Sequence, residues 1–137
     1  MRNSLFILMI AIVLAFSAAC GLSKDAEVNS FVAEMDKLTA DIVRAVEEKP
    51  SVQGAERAQR LLDERKAALK AGFDNLKDVR GFQLSDEVKK KFTDAVAKDV
   101  EAVNSLQIKY AGKALTDENF GQKLSQLSAD FNSIFGV

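Results

Sequence analysis

Few side chains in this chain are of a type and spacing that could do chemistry. Its 137 residues include one cysteine, Cys20, and no histidine. Without histidine, the Ser-His-Asp and Cys-His catalytic sites, the ordinary zinc sites and His-ligated haem are excluded. No glycine-rich phosphate loop occurs either. We therefore expect no metal ion, no cofactor and no enzymatic activity; a reaction run on carboxylates, lysine, serine or tyrosine alone is the remaining enzymatic alternative.

The thiol of Cys20 is the most informative of these groups because of what precedes it. A basic residue and an almost wholly apolar run over residues 5–16 lead into Ser17-Ala18-Ala19-Cys20. The apolar run has about the length of a secretory signal and falls below the ~20 residues needed to span a bilayer. The segment resembles the signal peptide and lipobox of bacterial lipoproteins, although Ser17 stands where that pattern usually has leucine.

The resemblance implies a division of the chain. Residues 1–19 would be a lipoprotein signal peptide that is cleaved, residues 20–22 the lipidated Cys20 with a short tether, and residues 23–137 the mature domain. Acylation with fatty chains such as palmitate would hold the protein on a membrane. Two alternatives stay open: cleavage after Ala19 by an ordinary signal peptidase, and retention of the segment as an uncleaved anchor.

The residue after the cysteine bears on location. Gly21 is not an aspartate, and the resemblance to Gram-negative lipoproteins then favours the outer membrane, on its periplasmic face, over retention in the inner membrane. The charges are nearly balanced, with 19 basic and 20 acidic residues. Nucleic-acid binding needs a basic surface, so we expect no nucleic-acid partner.

The mature part has the length of one domain and the periodicity of helices. Apolar residues recur three and four apart within four segments, 23–49, 51–79, 86–111 and 117–135. Pro50 should end the first segment, because proline disfavours the helical conformation in the residue before it. The connections are short, and short connections place neighbouring helices antiparallel. We expect an all-α fold, an antiparallel up-down-up-down four-helix bundle.

The helix ends carry recognisable signals. Ser51, Ser85 and Thr116 precede helical segments and are of the types that cap a helix N-terminus. Gly81 and Gly112 follow helical segments and should stop them. These signals predict three N-caps and two glycine terminations.

Two charged residues fall within apolar stripes. Arg65 lies in the stripe of the second segment and Asp99 in that of the third, at matching levels if these two helices pair closely. A lone buried charge costs several kcal/mol. We therefore predict an interior ion pair between Arg65 and Asp99. Placement of both residues at the stripe edge, in solvent, and a ligand or partner site are the alternatives.

The last helical segment ends in apolar residues. Phe135 and Val137 could fill the core, or they could form an exposed surface for a partner protein. Beyond the membrane contact through the lipid, a protein of the cell envelope is thus a possible partner. The oligomeric state does not follow from the sequence.

The sequence is compatible with two functions. The first is a membrane-anchored lipoprotein of the cell envelope that acts as a non-enzymatic binding or structural module. The second is a carrier that holds a lipid or small apolar ligand between amphipathic helices. An enclosed apolar cavity would favour the carrier.

Overall fold

The chain folds into helices alone throughout the part that is described. The computed structural model describes residues 24–77, 79 and 84–137. No strand occurs among these residues, so the predicted all-α fold is confirmed. The helices are α1 (Lys24–Glu48), α2 (Val52–Lys77), α3 (Asp86–Lys109), the single-turn α4 (Ala111–Ala114) and α5 (Glu118–Asn132).

The helix ends follow local side-chain chemistry. Ser85 caps α3 as predicted, with its hydroxyl accepting a hydrogen bond from a first-turn amide at 3.3 Å. The cap of α5 is Asp117, whose carboxylate accepts from the Phe120 amide at 3.1 Å. The prediction of Thr116 was wrong by one residue, because the Thr116 hydroxyl donates to a carbonyl of the preceding turn. A carboxylate in that position also suits the positive end of the helix dipole.

Two other predicted boundaries differ from the structure or lie outside it. Gly112 does not stop a helix but lies inside α4, which follows α3 after one residue. The hydroxyl of Ser51, a predicted N-cap, is directed to the Lys49 carbonyl at 3.5 Å. Gly81 lies outside the described residues.

Four long helices form a bundle in which each has two principal neighbours. Helix α1 packs against α2 and α3, and α5 packs against the same two helices. Helices α2 and α3 follow each other in the chain but lie across the diagonal, without extensive contact. The bundle therefore consists of two hairpins, α1–α2 and α3–α5, laid side by side.

The direction of neighbouring helices follows from their contacts. Pairs across α1 and α3 keep a constant separation of 62 residues, so these two helices run in parallel. These pairs are Asn29–Lys91, Asp36–Lys98 and Glu47–Lys109. Within the first hairpin, Phe31 contacts Phe73 while Glu48 contacts Arg57, which makes α1 and α2 antiparallel.

An aromatic cluster closes the end of the bundle where α1 begins. It joins all four long helices, with ring centroids 5.3 to 6.5 Å apart. Aromatic pairs at these separations add to the stabilisation from burial. Its members are Phe31, Phe73, Phe92, Phe131 and Phe135.

Close backbone approach distinguishes the contact between α1 and α2. A Cβ atom on Gly54 would lie 1.8 Å from the Lys49 carbonyl oxygen and 3.0 Å from that of Ala45. Further along, a Cβ on Gly72 would lie 3.1 Å from the Phe31 ring. Only glycine permits the first approach, since any other residue would place its side chain inside the backbone of the turn.

Candidate functional site

Cys20, the predicted lipidation site, lies outside the described residues. Its acylation stays a prediction. The first described residue is Lys24, which already belongs to α1. None of the described helices combines the length and the low charge that crossing a bilayer would require.

The most unusual group within the bundle is the carboxyl of Asp99, between α3 and α1. Only 2% of Asp99 is exposed, and its Oδ2 atom has no hydrogen-bond partner among the described residues. Thr39 of α1 is 4% exposed, and its hydroxyl oxygen also lacks such a partner. A buried polar atom without a hydrogen bond costs about 1–3 kcal/mol. This contact between the two hairpins therefore contains polar groups that are buried without full compensation.

Charged neighbours set the electrostatics of Asp99. The Lys98 ammonium lies 3.0 Å from Asp36 Oδ1 and 3.9 Å from Asp99 Oδ1. Burial, together with the nearby Asp36 carboxylate, raises the pKa of Asp99 to about 7, and Lys98 opposes this rise. The Asp36 carboxylate in turn raises the pKa of Lys98. Near neutral pH, both the protonated and the ionised form of Asp99 are thus populated, which is unusual for an aspartate.

The predicted ion pair between Arg65 and Asp99 was wrong. Asp99 makes its ionic contact with Lys98, and Arg65 is half-buried on α2. The physical reason is the helix order, because α2 and α3 lie across the diagonal and α1 is the neighbour of both. The interior position of Asp99 was predicted correctly, but its partners come from the first helix.

Sequence reasoning missed those partners, although a signal existed. Thr39 lies four residues after Met35 and three before Ile42, so it belongs to the apolar stripe of α1. Asp36 lies one turn before Thr39 on the same side. A polar residue inside each of two stripes, one in α1 and one in α3, would have indicated a shared buried site.

The predicted partner surface divides between core and solvent. Phe135 is only 7% exposed and packs edge-on against Phe73, with ring centroids 5.3 Å apart. Of the two alternatives for Phe135, the partner surface was wrong and the core was right, because the turn after α5 folds this side chain back into the aromatic cluster. Val137 is exposed at the C-terminus. The large apolar side chains exposed at the opposite end of the bundle are Ile108 and Leu115, at 80% and 88%.

Two surface clefts lie on the described part of the bundle, and both are open to solvent. One, about 410 Å³, lies between α2 and α5 and is lined by Val52 and five polar or charged residues. The other, about 460 Å³, lies between α1 and α3, and six of its eight lining residues are charged. Neither is the enclosed apolar cavity that a lipid carrier requires. Within the described part of the chain, no three carboxylates or thiols converge as metal ligands would.

Comparisons with known proteins give no further assignment. The chain matches no protein-family model, and neither curated proteins nor solved structures show a significant similarity to it.

Proposed function

We propose that this protein is a lipoprotein of the bacterial cell envelope that is anchored through Cys20 and acts as a non-enzymatic binding or structural module. The observation that carries the proposal is the position of the only cysteine. Cys20 follows an apolar segment of signal-peptide length and precedes the first helix by four residues. Acylation there would also occupy the only thiol, so no disulfide would contribute to the stability of the bundle.

The short tether has a geometric consequence for the anchored protein. Four residues span at most about 14 Å from Cys20 to Lys24. The end of the bundle that contains the aromatic cluster would therefore lie next to the lipid headgroups. The opposite end would lie about 37 Å further away, because α1 has 25 residues that each rise about 1.5 Å.

That remote end offers the better surface for an envelope partner. Ile108 and Leu115 are exposed there, beyond the reach of the membrane. Large apolar side chains that lie together on a surface mark sites of interaction with other proteins. Ile108 and Leu115 take the place of Phe135 as candidate contacts for a partner, because Phe135 is buried. The outer membrane, on its periplasmic face, is the favoured location in a Gram-negative host because Gly21 is not an aspartate.

The mass of the N-terminal peptide tests the anchoring. We expect the mature chain to begin at Cys20 with a diacylglyceryl group and a further acyl chain, and to incorporate labelled palmitate. The Cys20→Ser variant should take up no palmitate and should leave the membrane fraction. A wild-type chain that begins at Met1, or at Cys20 without lipid, would contradict the proposal.

Pull-down from solubilised membranes tests the partner surface. We expect Leu115→Asp to lose proteins that the wild-type chain retains. Asn75→Asp is the matched control, since it also adds one negative charge at an exposed site, near the membrane-proximal end. Equal recovery with Leu115→Asp and with wild type would remove the remote end from the proposal.

A further inference from the structure

The contact between α1 and α3 is the place where the two hairpins meet through buried polar groups. Asp99 of α3 faces Asp36 and Thr39 of α1, and Lys98 is the positive charge that contacts both carboxylates. We call these four residues the Asp99 cluster. It lies beside the charged cleft between the same two helices, whose lining includes Asp36 and Lys98.

No other charge compensates Asp99 in the described part of the chain. Helix α5, the second neighbour of α3, directs Lys123 and Asp130 towards α2, and its Glu118 accepts a hydrogen bond from Gln122 within the same helix. Asp130 accepts a hydrogen bond from Gln59 at 2.9 Å and pairs with Lys66 at 3.4 Å, and Lys123 pairs with Glu56 at 3.7 Å. The polar contacts from α5 to α3 come from neutral groups, the Ser128 hydroxyl and the Asn132 amide, which both donate to Asn104.

The two hairpins are joined by one connection, so their separation requires no break within either hairpin. Residues 78–85 link α2 to α3. The α1–α2 contact has a close backbone approach at Gly54. The Asp99 cluster, in contrast, holds two buried oxygen atoms that find no hydrogen-bond partner among the described residues. The contact between the hairpins at α1 and α3 is thus easier to open than the contact within the first hairpin.

We propose that the Asp99 cluster is a proton-controlled latch between the two hairpins: the α1–α3 contact is closed while Asp99 is protonated and loosens when Asp99 loses its proton. An ionised Asp99 would place a second negative charge beside Asp36 in a buried position. Lys98, at 3.9 Å from Asp99 and 3.0 Å from Asp36, is committed mainly to Asp36. Opening relieves the ionised form because the Asp99 carboxylate then reaches water and moves away from Asp36.

The latch responds to pH between the two pKa values of Asp99, from about 4 in the open form to about 7 in the closed form. Burial and Asp36 raise the pKa of Asp99 to about 7, whereas in the open form water returns the pKa towards that of an ordinary aspartate. A group whose pKa is raised in the closed form favours that form at low pH, and this preference is lost as the pH rises through about 7. Opening would expose the apolar faces of α1 and α3 to a partner. The latch does not depend on how the chain is anchored.

Amide hydrogen exchange of the full chain in detergent micelles tests the latch. Opening removes one of the two packing partners of α1 and of α3. Helices depend on such packing for their stability in water, so opening should lower the protection of their amides against exchange. After correction for the intrinsic effect of pH on exchange, residues 32–42 and 95–103 should exchange about tenfold faster at pH 8.5 than at pH 5.5. Residues 55–62 of α2 should change less.

Two variants complete the experiment. Asp99→Asn should abolish the pH dependence in both segments, whereas Asp130→Asn, which alters a carboxylate of the α2–α5 contact, should leave it intact. Equal exchange of the wild type at both pH values would overturn the proposal. So would a uniform change across all helices, which would indicate global unfolding, or an Asp99→Asn variant that keeps the pH dependence of the wild type.

Discussion

Helix α1 contacts its two neighbours in different ways. Against α2 it packs closely, with Gly54 against the Ala45 and Lys49 carbonyls and Gly72 against the Phe31 ring. Against α3 it packs through the Phe31–Phe92 ring contact and the Asp99 cluster. An Asn29–Lys91 hydrogen bond and a Glu47–Lys109 ion pair add further polar contacts. The same helix therefore has one contact in which glycine allows close approach and one contact that contains a buried carboxyl.

The difference shows how stability and responsiveness are separated in a small bundle. A close apolar contact is insensitive to pH and is damaged by any added volume. A contact with a buried carboxyl is weaker, and its strength depends on protonation. The contact within the first hairpin thus holds that hairpin together, and the contact between the hairpins can respond to its surroundings.

The largest loss of stability should come from adding a side chain at Gly54, where α2 begins close to the end of α1. Gly54→Ala places a Cβ atom within the space of the Lys49 carbonyl oxygen, so the start of α2 must move away from α1. We expect the free energy of unfolding to fall by about 3 kcal/mol or more, as for severe overpacking. Urea unfolding at pH 7 measures this change.

The matched control for that substitution is Gly112→Ala. A Cβ atom on Gly112 meets nothing within 4 Å. Its stability should be unchanged or higher by up to about 1 kcal/mol, since alanine is the better helix former. A similar loss in both variants would show that close packing at Gly54 is not the cause.

The second-largest change in stability should come from removing the charge of Asp99. In the folded chain the pKa of Asp99 is raised to about 7, so ionisation at higher pH opposes folding. The wild-type chain should therefore lose stability as the pH rises from about 4 through 7. Asp99→Asn should be more stable than wild type by about 2–3 kcal/mol at pH 8, with little difference at pH 4. Urea unfolding as a function of pH provides the measurement, and an Asp99→Asn curve parallel to that of wild type would contradict the raised pKa.

A smaller gain should follow from removing an unsatisfied hydroxyl. Thr39→Val keeps the shape of the side chain and eliminates a buried oxygen without a hydrogen bond. We expect about 1 kcal/mol of added stability at low pH. Ser128→Ala is the contrasting variant, because the Ser128 hydroxyl donates to Asn104, and it should lose about 1 kcal/mol. Thermal unfolding of the two variants at pH 5 should therefore shift in opposite directions.

The smallest change in stability should come from removing Lys98, on the exposed side of the Asp99 cluster. Lys98 and Asp36 are 64% and 40% exposed in their side chains, and such pairs contribute 0–1 kcal/mol. Lys98→Met should cost less than about 1 kcal/mol at pH 5 and more at pH 8, where Asp99 loses its nearest compensating charge. Lys109→Met breaks the exposed pair with Glu47 and should cost about the same at both pH values.

The sequence predicted the helices well because their periodicity and caps are local properties. The apolar stripes located all four long helices, and Ser85 was recognised as a cap from its residue type. The presence of Asp99 inside the core also followed, since a charge within an apolar stripe is visible on a helical wheel.

The pairing of the helices could not be predicted in the same way. Short connections were taken to place α3 beside α2. The eight residues between Lys77 and Asp86 can span roughly 27 Å. That reach suffices for the diagonal of a bundle with helices about 8–10 Å apart. The length of the connection therefore could not show whether α3 lies beside α2 or diagonally across from it. For this reason Arg65 was predicted as the partner of Asp99, whereas the neighbours of Asp99 in the structure are Asp36, Thr39 and Lys98.

The titration of the Asp99 carboxyl, followed through its carbon resonance, tests most directly whether α1 and α3 enclose this group. The carboxyl resonance of Asp99 in the full chain, assigned by its loss in Asp99→Asn, can be followed by carbon-detected NMR from pH 3 to pH 9. The buried contact between the hairpins predicts a midpoint near 7. A midpoint near 4, the ordinary value for an aspartate, would mean that Asp99 is solvated and that α1 and α3 do not enclose it.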